Sequence, residues 1–369
     1  MEKSTIFLVD PMSYSNLGLY DKLLLENIPE KNRFLFGNVK YEHLSNTAFQ
    51  LRLIYKYTDK KGVIKFISYL KSQLILLYSI LKYNPGVVHF QWIKVPFVDF
   101  ILICLIQALK KNTKVILTAH NILPHNSEES FKNIYGKIYR KVDKIIVHDK
   151  TTKFDLLKLF SISENKVKVI PHGLLNIAGK GEELKVKKPI LTFAMLGNLS
   201  KYKGLDIIID AWMGSDYLLN NNSVELVIAG TPKKEVLGDL NKVADAPNIK
   251  LFDKYLDSED FNNLLLKSDV LLLPYKEISQ SGVLLSGLKY KKTFIVSNIG
   301  GLTQPFNLGK VGWILESNTT SCLRDRLEYV CRNKNEVVEI KNNNKLWDSI
   351  DEFYSWKKIG LETLKLYFK

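Results

Sequence analysis

The chain has 369 residues, 46% of them hydrophobic and 25% charged, which is typical of soluble globular proteins. Because this length exceeds what one hydrophobic core usually serves, we expect two domains. The cysteines (Cys104, Cys322 and Cys331) lack the spacing of a disulfide or metal pattern, which favours a reducing compartment. No secretory signal is recognisable, and the longest apolar run, Phe97–Leu109, is too short to span a bilayer, so a buried helix is expected.

The net charge of +15 is concentrated in the first half of the chain. Residues 1–180 carry 27 Lys and Arg against 14 Asp and Glu, whereas residues 181–369 carry 26 against 24. Within the first half, residues 51–83 mix basic with aromatic and aliphatic side chains at roughly helical spacing. This pattern indicates either a solvated basic face over a core helix or a surface that docks on an anionic membrane. The charge asymmetry favours the membrane, and no recognition module for nucleic acid is present.

Apolar strand-like runs alternate with helical patterns along the chain, which predicts parallel sheets covered by helices. The strands predicted in the first half are Ser4–Val9, Phe34–Gly37, Val87–Phe90, Lys114–Ala119, Lys144–His148 and Lys166–Ile170. Residues 174–189 are rich in Gly, Lys and Glu, which is typical of a linker. The pattern then restarts with helices from about Leu205 and Ser258 and with strands at Leu191–Leu196, Glu225–Ala229, Lys250–Phe252, Val270–Leu273 and Thr293–Ser297.

The repeated pattern predicts an α/β protein with two doubly wound domains. Their predicted boundaries are residues 1–178 for a basic, acceptor-binding domain and residues 179–345 for a second domain. Residues 346–369 form an amphipathic helical tail that we expect to pack back on the first domain. Ligands of open parallel sheets bind beyond the carboxyl ends of the strands, so two such domains are expected to face each other across a ligand-binding cleft.

Two loops of the second domain have the features of a phosphate site. After the strand 191–196, Gly197 permits a close approach of the backbone, and Lys201 and Lys203 follow immediately before a helix. After the strand 270–273, Gln280–Gly282 begin another helix whose free amides attract anions. A simple helix cap by Ser279 or Ser281 is the alternative for the second loop. The two loops are predicted to converge on one ligand, which favours the phosphate site.

Polar side chains also follow the strands of the first domain. His120 comes directly after the strand 114–119, and we expect it to reach the ligand, whereas His125 follows Pro124 and is expected to be structural. His89, Gln91 and Trp92 surround another strand end and are candidate contacts for a sugar acceptor. Gly18, in the loop after the first strand, is predicted to let that loop approach the phosphates. The acidic run 257–260 opens a helix and is predicted to be a cap rather than a metal site.

Five motifs occur in a fixed order over nearly the whole chain. They are "TAHN", "VIPHG", "GNLSKYKG", "ELVIAG" and "LLPYKEISQSGVLLSGLKYKKTFIVSNIGGL". Together they resemble the retaining nucleotide-sugar glycosyltransferases of family 4, and "HFQW" with "TAHNILPH" resembles members that build bacterial surface polysaccharides. The resemblance implies the GT-B fold, which consists of two Rossmann-like domains facing across a cleft.

The resemblance assigns roles to individual residues. Lys203 matches the family's lysine that grips the diphosphate, whereas Asn198 replaces the usual arginine and leaves Lys201 as a substitute. The two glutamates of the family fall near Ile278 and at Ser286. The glutamate missing at Ser286 usually binds ribose. Glu277, or the Gln280–Val283 backbone, is then expected to contact the transferred sugar, and His120 to position a sugar hydroxyl.

The expected function is the transfer of a hexose from a nucleoside diphosphate sugar of the UDP or GDP type to a lipid-linked or oligosaccharide acceptor. The resemblance implies retention of configuration and no cofactor or metal, and the expected location is the cytoplasmic face of the membrane. Two alternatives remain open. One is a sugar-nucleotide epimerase, and the other is a catalytically silent scaffold of a polysaccharide-assembly complex, which the missing arginine and glutamate favour.

Overall fold

The computed structural model describes residues 5–44, 47–124, 128–175, 190–243, 246–278 and 280–368. The chain divides into two compact units, each built on one parallel sheet. The first unit comprises residues 1–173 and 354–369, and the second comprises residues 174–353. Most of the predicted linker and His125 lie outside the described residues.

The first unit is built on seven strands. They are β1 (Ile6–Val9), β2 (Arg33–Asn38), β3 (Gln50–Tyr55), β4 (Val87–Phe90), β5 (Lys114–Thr118), β6 (Lys144–Val147) and β7 (Val167–Val169). Its helices before the second unit are α1 (Ser15–Asn27), α2 (Gly62–Tyr83), α3 (Pro96–Leu109), α4 (Glu128–Lys141) and α5 (Lys150–Phe160). The strand order is β3-β2-β1-β4-β5-β6-β7. The order therefore reverses between β1 and β4, which is where such sheets bind ligands.

The second unit is built on six strands. They are β8 (Leu191–Leu196), β9 (Val224–Ala229), β10 (Ile249–Phe252), β11 (Val270–Leu273), β12 (Thr293–Val296) and β13 (Gly312–Ile314). Its helices are α6 (Leu205–Met213), α7 (Asp216–Leu219), α8 (Leu237–Asn241), α9 (Ser258–Lys267), α10 (Gly282–Lys289), α11 (Thr320–Arg332), α12 (Lys334–Asn342) and α13 (Asn344–Phe353). The strand order is β10-β9-β8-β11-β12-β13, so the order reverses between β8 and β11.

Every predicted strand is present, with ends that differ from the prediction by at most two residues. Two observed strands, β3 and β13, were not predicted. β3 begins at Gln50 and overlaps the segment 51–83, whose spacing is roughly helical, although the helix α2 begins only at Gly62. β13 has three residues and begins with a glycine, so it carries little strand signal.

Helices cover both faces of the first sheet. One core contains buried side chains of α2, α3, α4 and α5, and the other contains side chains of α1 and of the C-terminal helix α14 (Trp356–Phe368). α14 packs against α1 at Gly360, where a Cβ would lie 2.1 Å from the carbonyl oxygen of Asn27. The absence of a side chain at this position therefore lets the last helix approach the first one closely.

The helices α2 and α3 are joined by a buried carboxylate. Asp99 of α3 accepts hydrogen bonds from the Tyr69 hydroxyl (2.7 Å) and the Gln73 amide (2.9 Å) of α2. It also accepts from the backbone amides of Lys94 (2.8 Å) and Val95 (3.0 Å), which fixes the segment that leads into α3. Burial nevertheless raises the pKa of Asp99 from 3.8 to about 7.

The prediction of a buried helix over residues 97–109 is only partly correct. α3 occupies this segment, but it exposes an apolar stripe at every fourth residue, consisting of Phe97, Ile101, Leu105 and Leu109. Its other side packs into the core through Leu102, Ile103 and Ile106. The continuous apolar run therefore reflects a helix that is apolar on both its core side and its outer side.

We expect replacement of Asp99 by alanine to lower the free energy of unfolding by about 3 kcal/mol, because four buried or partly buried donors lose their acceptor. Urea unfolding followed by circular dichroism measures this change. Asp155→Ala, at an exposed position on α5, is the control and should leave the unfolding curve nearly unchanged. Equal effects of the two substitutions would show that the Asp99 network does not stabilise the fold.

Candidate functional site

The loops after β8 and β11 meet at the switch point of the second sheet. The Lys276 amide donates a hydrogen bond of 2.7 Å to the Tyr202 carbonyl and so joins the two loops. Gly204, directly before α6, has a φ of +74°, and a Cβ there would lie 2.2 Å from the Pro274 carbonyl oxygen. The loops are therefore in direct contact, and a side chain at position 204 would separate them.

Lys203 extends its ammonium group to the point where these loops meet. A Cβ built on Gly197 would lie 3.4 Å from Lys203 Nζ, and the ammonium lies 5.6 Å from the centre of the Tyr275 ring. Lys203 is largely buried, and no residue in the described part of the chain forms a hydrogen bond or an ion pair with its ammonium. A buried cation without a counter-ion is unfavourable, so this position is suited to an anionic ligand.

The titration of Lys203 reflects this environment. Burial, and secondarily the positive charge of Lys233, lower the pKa of Lys203 from 10.5 to about 8. Lys203 thus remains mainly protonated near neutral pH, but only by a small margin. An anion bound beside the ammonium would raise this pKa again because it favours the charged form.

The helix α10 begins at the same place. Ser281 caps it by accepting a hydrogen bond of 3.2 Å from the Leu284 amide, and Val283 Cγ2 would lie 3.7 Å from a Cβ on Gly197. The cap predicted as an alternative is therefore real. The Ser281 cap engages only the Leu284 amide. The amides of Gly282 and Val283 also lie in the first turn, where no intrahelical acceptor is available. The positive end of the α10 dipole adds to the charge of Lys203.

One further lysine of this site was not predicted. Lys233 follows β9, and its ammonium lies 5.2 Å from the centre of the Tyr202 ring, in the loop that carries Lys203. Its charge contributes to the lowered pKa of Lys203. The signal was present in "IAGTPKKE", because these residues follow a strand that neighbours β8.

In the first unit, a chain of side chains begins at His120. Nε2 of His120 lies 3.0 Å from Oε1 of Gln91, and Nδ1 of His120 lies 3.1 Å from Nε2 of His148. Nδ1 of His148 lies 2.9 Å from the carbonyl oxygen of Ile170, so this nitrogen must carry the proton. Burial lowers the pKa of both histidines, which favours the neutral rings.

Neutral rings determine the direction of the hydrogen bonds in this chain. His148 Nε2 then accepts from His120 Nδ1, and His120 Nε2 is left as an acceptor. Gln91 satisfies His120 Nε2 when its amide is turned so that the nitrogen faces the ring. With the oxygen facing the ring instead, the Gln91 nitrogen has no partner among the described residues. The Trp92 ring stacks on His120 with an angle of 11° between the planes. His120 is therefore held rigidly in one tautomer.

These residues line a pocket of about 400 Å³ at the carboxyl ends of β4 and β5. Gln91, Trp92 and His120 form one side of it, while aromatic residues of α4, including Phe131 and Tyr135, form another. Lys94 and Pro96 line it at the start of α3. Aromatic rings beside a few fixed polar groups suit a sugar-bearing ligand with an apolar part.

Models of two glycosyltransferase domains match the chain. "Glycosyltransferase Family 4" matches residues 45–174, and "Glycosyl transferases group 1" matches residues 178–347, so that together they account for about four fifths of the sequence. The chain belongs to the glycosyltransferases of family 4.

Two curated relatives of this family are similar in sequence. An uncharacterised glycosyltransferase of Methanocaldococcus jannaschii, MJ1607, is 24% identical over 238 residues, which cover 61% of this chain and 59% of the relative. The D-rhamnosyltransferase WbpZ of Pseudomonas aeruginosa is 24% identical over 266 residues, which cover 69% of this chain and 66% of the relative. The chain thus spans less than two thirds of the length of either relative.

Solved structures of glycosyltransferases share the fold. A glycosyltransferase from Rickettsia africae has a TM-score of 0.75 and 18% identity, covering 100% of this chain and 98% of the other. Anabaena Alr3699/HepE, in complex with UDP and glucose, has a TM-score of 0.74 and 13% identity, covering 98% and 99%. The predicted α/β GT-B fold, with two Rossmann-like units, is confirmed.

The remaining residues assigned by the family resemblance to the second unit occupy different environments. Asn198, Lys201 and Glu277 are exposed, and the Lys201 amide donates to Oε1 of Glu235 (3.1 Å). Ser286 is fully buried, and its hydroxyl has no partner among the residues that the structure describes. Because this hydroxyl is sealed from solvent, Ser286, a candidate nucleotide-binding residue because it stands at the position of the family's ribose-binding glutamate, does not reach a nucleotide.

Two predictions for the first unit require correction. His89 is fully buried, and its ring nitrogens contact the hydroxyls of Tyr367 (2.6 Å) and Thr118 (2.7 Å). It therefore joins β4 to β5 and α14 and does not reach an acceptor. Gly18 lies inside α1, where a Cβ would be 3.1 Å from the Ser13 carbonyl oxygen, so it serves the packing of this helix and not the approach to a phosphate.

The acidic run 257–260 has the predicted structural role. Asp257 caps α9 by accepting a hydrogen bond of 2.7 Å from the Asp260 amide. Within the described parts of the chain, no group of three or more His, Cys, Asp or Glu side chains is arranged to hold a metal ion.

We expect His120 and His148 to remain neutral at pH 5.5, where an unperturbed imidazole, with a pKa of about 6.5, is mostly charged. Long-range ¹H–¹⁵N correlation spectra should show the Nδ1–H tautomer for both rings from pH 8 to 5.5. The variant His148→Gln assigns the His148 signals. Protonation of either ring with a midpoint near 6.5 would contradict the proposed hydrogen-bond chain.

Proposed function

We propose that the protein is a retaining glycosyltransferase that moves a hexose from a nucleoside diphosphate sugar to a hydroxyl group of a saccharide acceptor. The observation that carries this proposal is the meeting of Lys203, Gly197 and the start of α10 at the switch point of the second sheet. A buried ammonium and the first-turn amides of α10 together match the charge of a diphosphate. Membership of family 4 supports the same assignment.

In the proposed reaction, the bond between the anomeric carbon and the diphosphate oxygen breaks while the acceptor oxygen bonds to that carbon. Negative charge collects on the departing diphosphate. Lys203, with Lys201 and Lys233 nearby, stabilises this charge together with the amides of Gly282 and Val283. The cations and the helix end occupy the role that a metal ion has in other transferases, so no metal is required.

Retention of configuration follows if the acceptor attacks from the side that the diphosphate leaves. The acceptor hydroxyl then gives its proton to an oxygen of the departing phosphate, which balances the charge without a protein base. In this proposal Glu277, on the exposed part of the loop after β11, contacts the transferred sugar. His120, held in one tautomer, contributes only Nε2 as an acceptor, and a sugar hydroxyl in the pocket of the first unit donates to this atom in place of the Gln91 amide.

The acceptor in this proposal is a lipid-linked saccharide, and the pathway is bacterial surface polysaccharide synthesis at the cytoplasmic face of the membrane. The similarity to the D-rhamnosyltransferase WbpZ supports a saccharide acceptor of this type. The pocket lined by Trp92 and His120 supplies stacking and hydrogen bonding for it. An epimerase would need neither an acceptor pocket nor a basic first unit.

Nucleotide binding tests the donor site. Thermal shifts and calorimetry with UDP, GDP, ADP and dTDP, with magnesium and with EDTA, should show binding of one nucleotide that is independent of the metal. We expect Lys203→Ala to weaken this binding by about 10- to 100-fold, the usual effect of losing a charged hydrogen bond. Lys289→Ala, at the other end of α10, is the matched control and should bind normally.

The outcomes separate the alternatives. Binding by the wild type and by Lys289→Ala, together with sugar transfer to a lipid-linked acceptor, supports the transferase. Conversion of the nucleotide sugar without an acceptor would indicate an epimerase. No binding of any nucleotide would reject the donor site and favour a catalytically silent scaffold.

The affinity for the nucleotide should also depend on pH. The lowered pKa of Lys203, about 8, means that the ammonium is present below this value and lost above it. Affinity should therefore be constant from pH 7 to 7.5 and fall by up to about tenfold per unit above pH 8. Lys203→Arg, which stays charged, should bind with little dependence on pH up to 9.5. A wild-type affinity that does not change over this range would exclude Lys203 as the phosphate ligand.

A further inference from the structure

The helix α2 buries hydrogen-bonding residues together with Leu76 and Ile80, and it exposes many apolar side chains on its outer side. Its buried positions include Ser68, Tyr69, Ser72 and Gln73. Tyr69 and Gln73 bind the Asp99 carboxylate, and the Ser72 hydroxyl donates to the Ile54 carbonyl oxygen (2.8 Å). These hydrogen bonds fix the rotation of the helix about its axis. The exposed apolar side is therefore a defined feature of the fold.

The apolar sides of α2 and α3 form one surface, here called the α2–α3 surface. The two helices pack side by side on the same face of the sheet, since both contribute to one core. α3 adds the stripe that begins at Phe97. The most exposed apolar residues of the α2–α3 surface are Val63, Ile64, Leu74, Tyr78, Phe97 and Leu109. Several exposed apolar side chains on two neighbouring helices are typical of an interaction site.

The charged side chains of α2 and of the segment between α2 and α3 are all basic. Between Asp59 and Asp99 the sequence contains no acidic residue, and it contains the lysines Lys60, Lys61, Lys65, Lys71, Lys82 and Lys94. Asp99 itself is buried in the network that joins the helices. The partner of this surface must therefore be apolar and also negatively charged at its border. The headgroup region of an anionic bilayer has both properties.

We propose that the α2–α3 surface inserts into the interface of an anionic membrane, with α2 lying in the membrane plane. Its apolar side chains enter the boundary between headgroups and acyl chains, and its lysines contact lipid phosphates. The 22 residues of α2 extend over about 33 Å, and a contact surface of this length fits a planar membrane better than the groove of a peptide-binding protein.

Two other arrangements fit the observations less well. α2 is long and apolar enough to span a bilayer, but spanning would remove Tyr69 and Gln73 from the Asp99 carboxylate. A second copy of the chain docked through the same surface would bring two lysine-rich borders together, and like charges repel. A lipid surface satisfies the apolar residues and the lysines at once.

The position of the α2–α3 surface also bears on the acceptor, and this step rests on the proposed function. Lys94 and Pro96, which line the pocket of Trp92 and His120, directly precede Phe97 of the surface. A saccharide whose lipid remains in the membrane would thus arrive beside the opening of the pocket. Docking would present the acceptor site to lipid-linked substrates.

Vesicle flotation of the full chain tests the proposal. The vesicles contain either phosphatidylcholine alone or phosphatidylcholine with 30% phosphatidylglycerol, about the anionic fraction needed for an electrostatic contribution. The variants Phe97→Glu and Leu74→Glu place a charge on the α2–α3 surface. Phe154→Glu is the matched control, because Phe154 of α5 is 63% exposed and Phe97 is 67% exposed. Circular dichroism verifies that all variants are folded.

We expect the wild type and Phe154→Glu to bind the anionic vesicles, and both surface variants to bind about tenfold or more weakly, since each loses buried apolar area and inserts a charge. Part of the binding should persist in 1 M salt, because insertion is not electrostatic. Absence of binding by the wild type, or equal binding by all variants, would overturn the proposal. A dimer in solution that Leu74→Glu dissociates would assign the surface to a second copy instead.

Nucleotide affinity of the same variants separates this proposal from the proposed function. Phe97→Glu and Leu74→Glu should bind the nucleotide as the wild type does, because the donor site lies in the other unit. Vesicle binding without any nucleotide binding would retain the membrane surface and reject the transferase. Nucleotide binding without vesicle binding would retain the donor site and reject the membrane surface.

Discussion

The geometry of the parallel sheet determines where both candidate sites lie. All strands of such a sheet end at the same edge, and the loops diverge where the strand order reverses. In the second unit this happens between β8 and β11, and three glycines let the surrounding loops approach each other. A Cβ on Gly230 would lie 1.7 Å from the Gly197 carbonyl oxygen, and one on Gly204 would lie 2.2 Å from that of Pro274. The site thus depends first on close backbone contacts that only glycine allows at these positions.

This backbone framework gives the Lys203 ammonium its properties. The ammonium occupies a position with little solvent and no counter-ion among the described residues, which is unfavourable for the folded protein on its own. The lowered pKa is the measure of that unfavourable state, and an anionic ligand relieves it. A surface lysine would already be well solvated and would gain less from the ligand. Burial therefore increases the selectivity of the site for a charged group.

Much of the fold and part of the donor site could be predicted from the sequence, because they depend on local patterns. Strands with turn residues behind them define the sheets, and Gly197 and Lys203 follow one such strand within seven residues. His89 and Gln91 show the limit of this reasoning. They are two positions apart, but β4 ends at Phe90, so His89 lies inside the sheet and Gln91 lies beyond it. The pattern around a strand end does not locate that end to a single residue.

The orientation of a helix is harder to predict than its presence. Ser286 lies in the second turn of α10, and its burial depends on the phase of a helix whose start at Gly282 is set by the Ser281 cap. The same difficulty applies to Lys233, whose role depends on β9 being the neighbour of β8. Both are consequences of tertiary packing, which short sequence windows do not contain.

The helix α2 shows how a buried polar group can fix the orientation of a helix that is apolar on more than one side. Hydrophobicity alone favours turning the leucine- and isoleucine-rich side inward. A carboxylate buried at Asp99 requires donors, and Tyr69 and Gln73, four residues apart on one side of α2, supply two of them. Turning the helix over would remove Tyr69 and Gln73 from the carboxylate, and Asp99 would lose two of its four donors. The other acceptor positions of Asp99 bind the amides of Lys94 and Val95, and Lys94 lines the pocket. One carboxylate therefore fixes the position of the α2–α3 surface relative to the opening of the pocket.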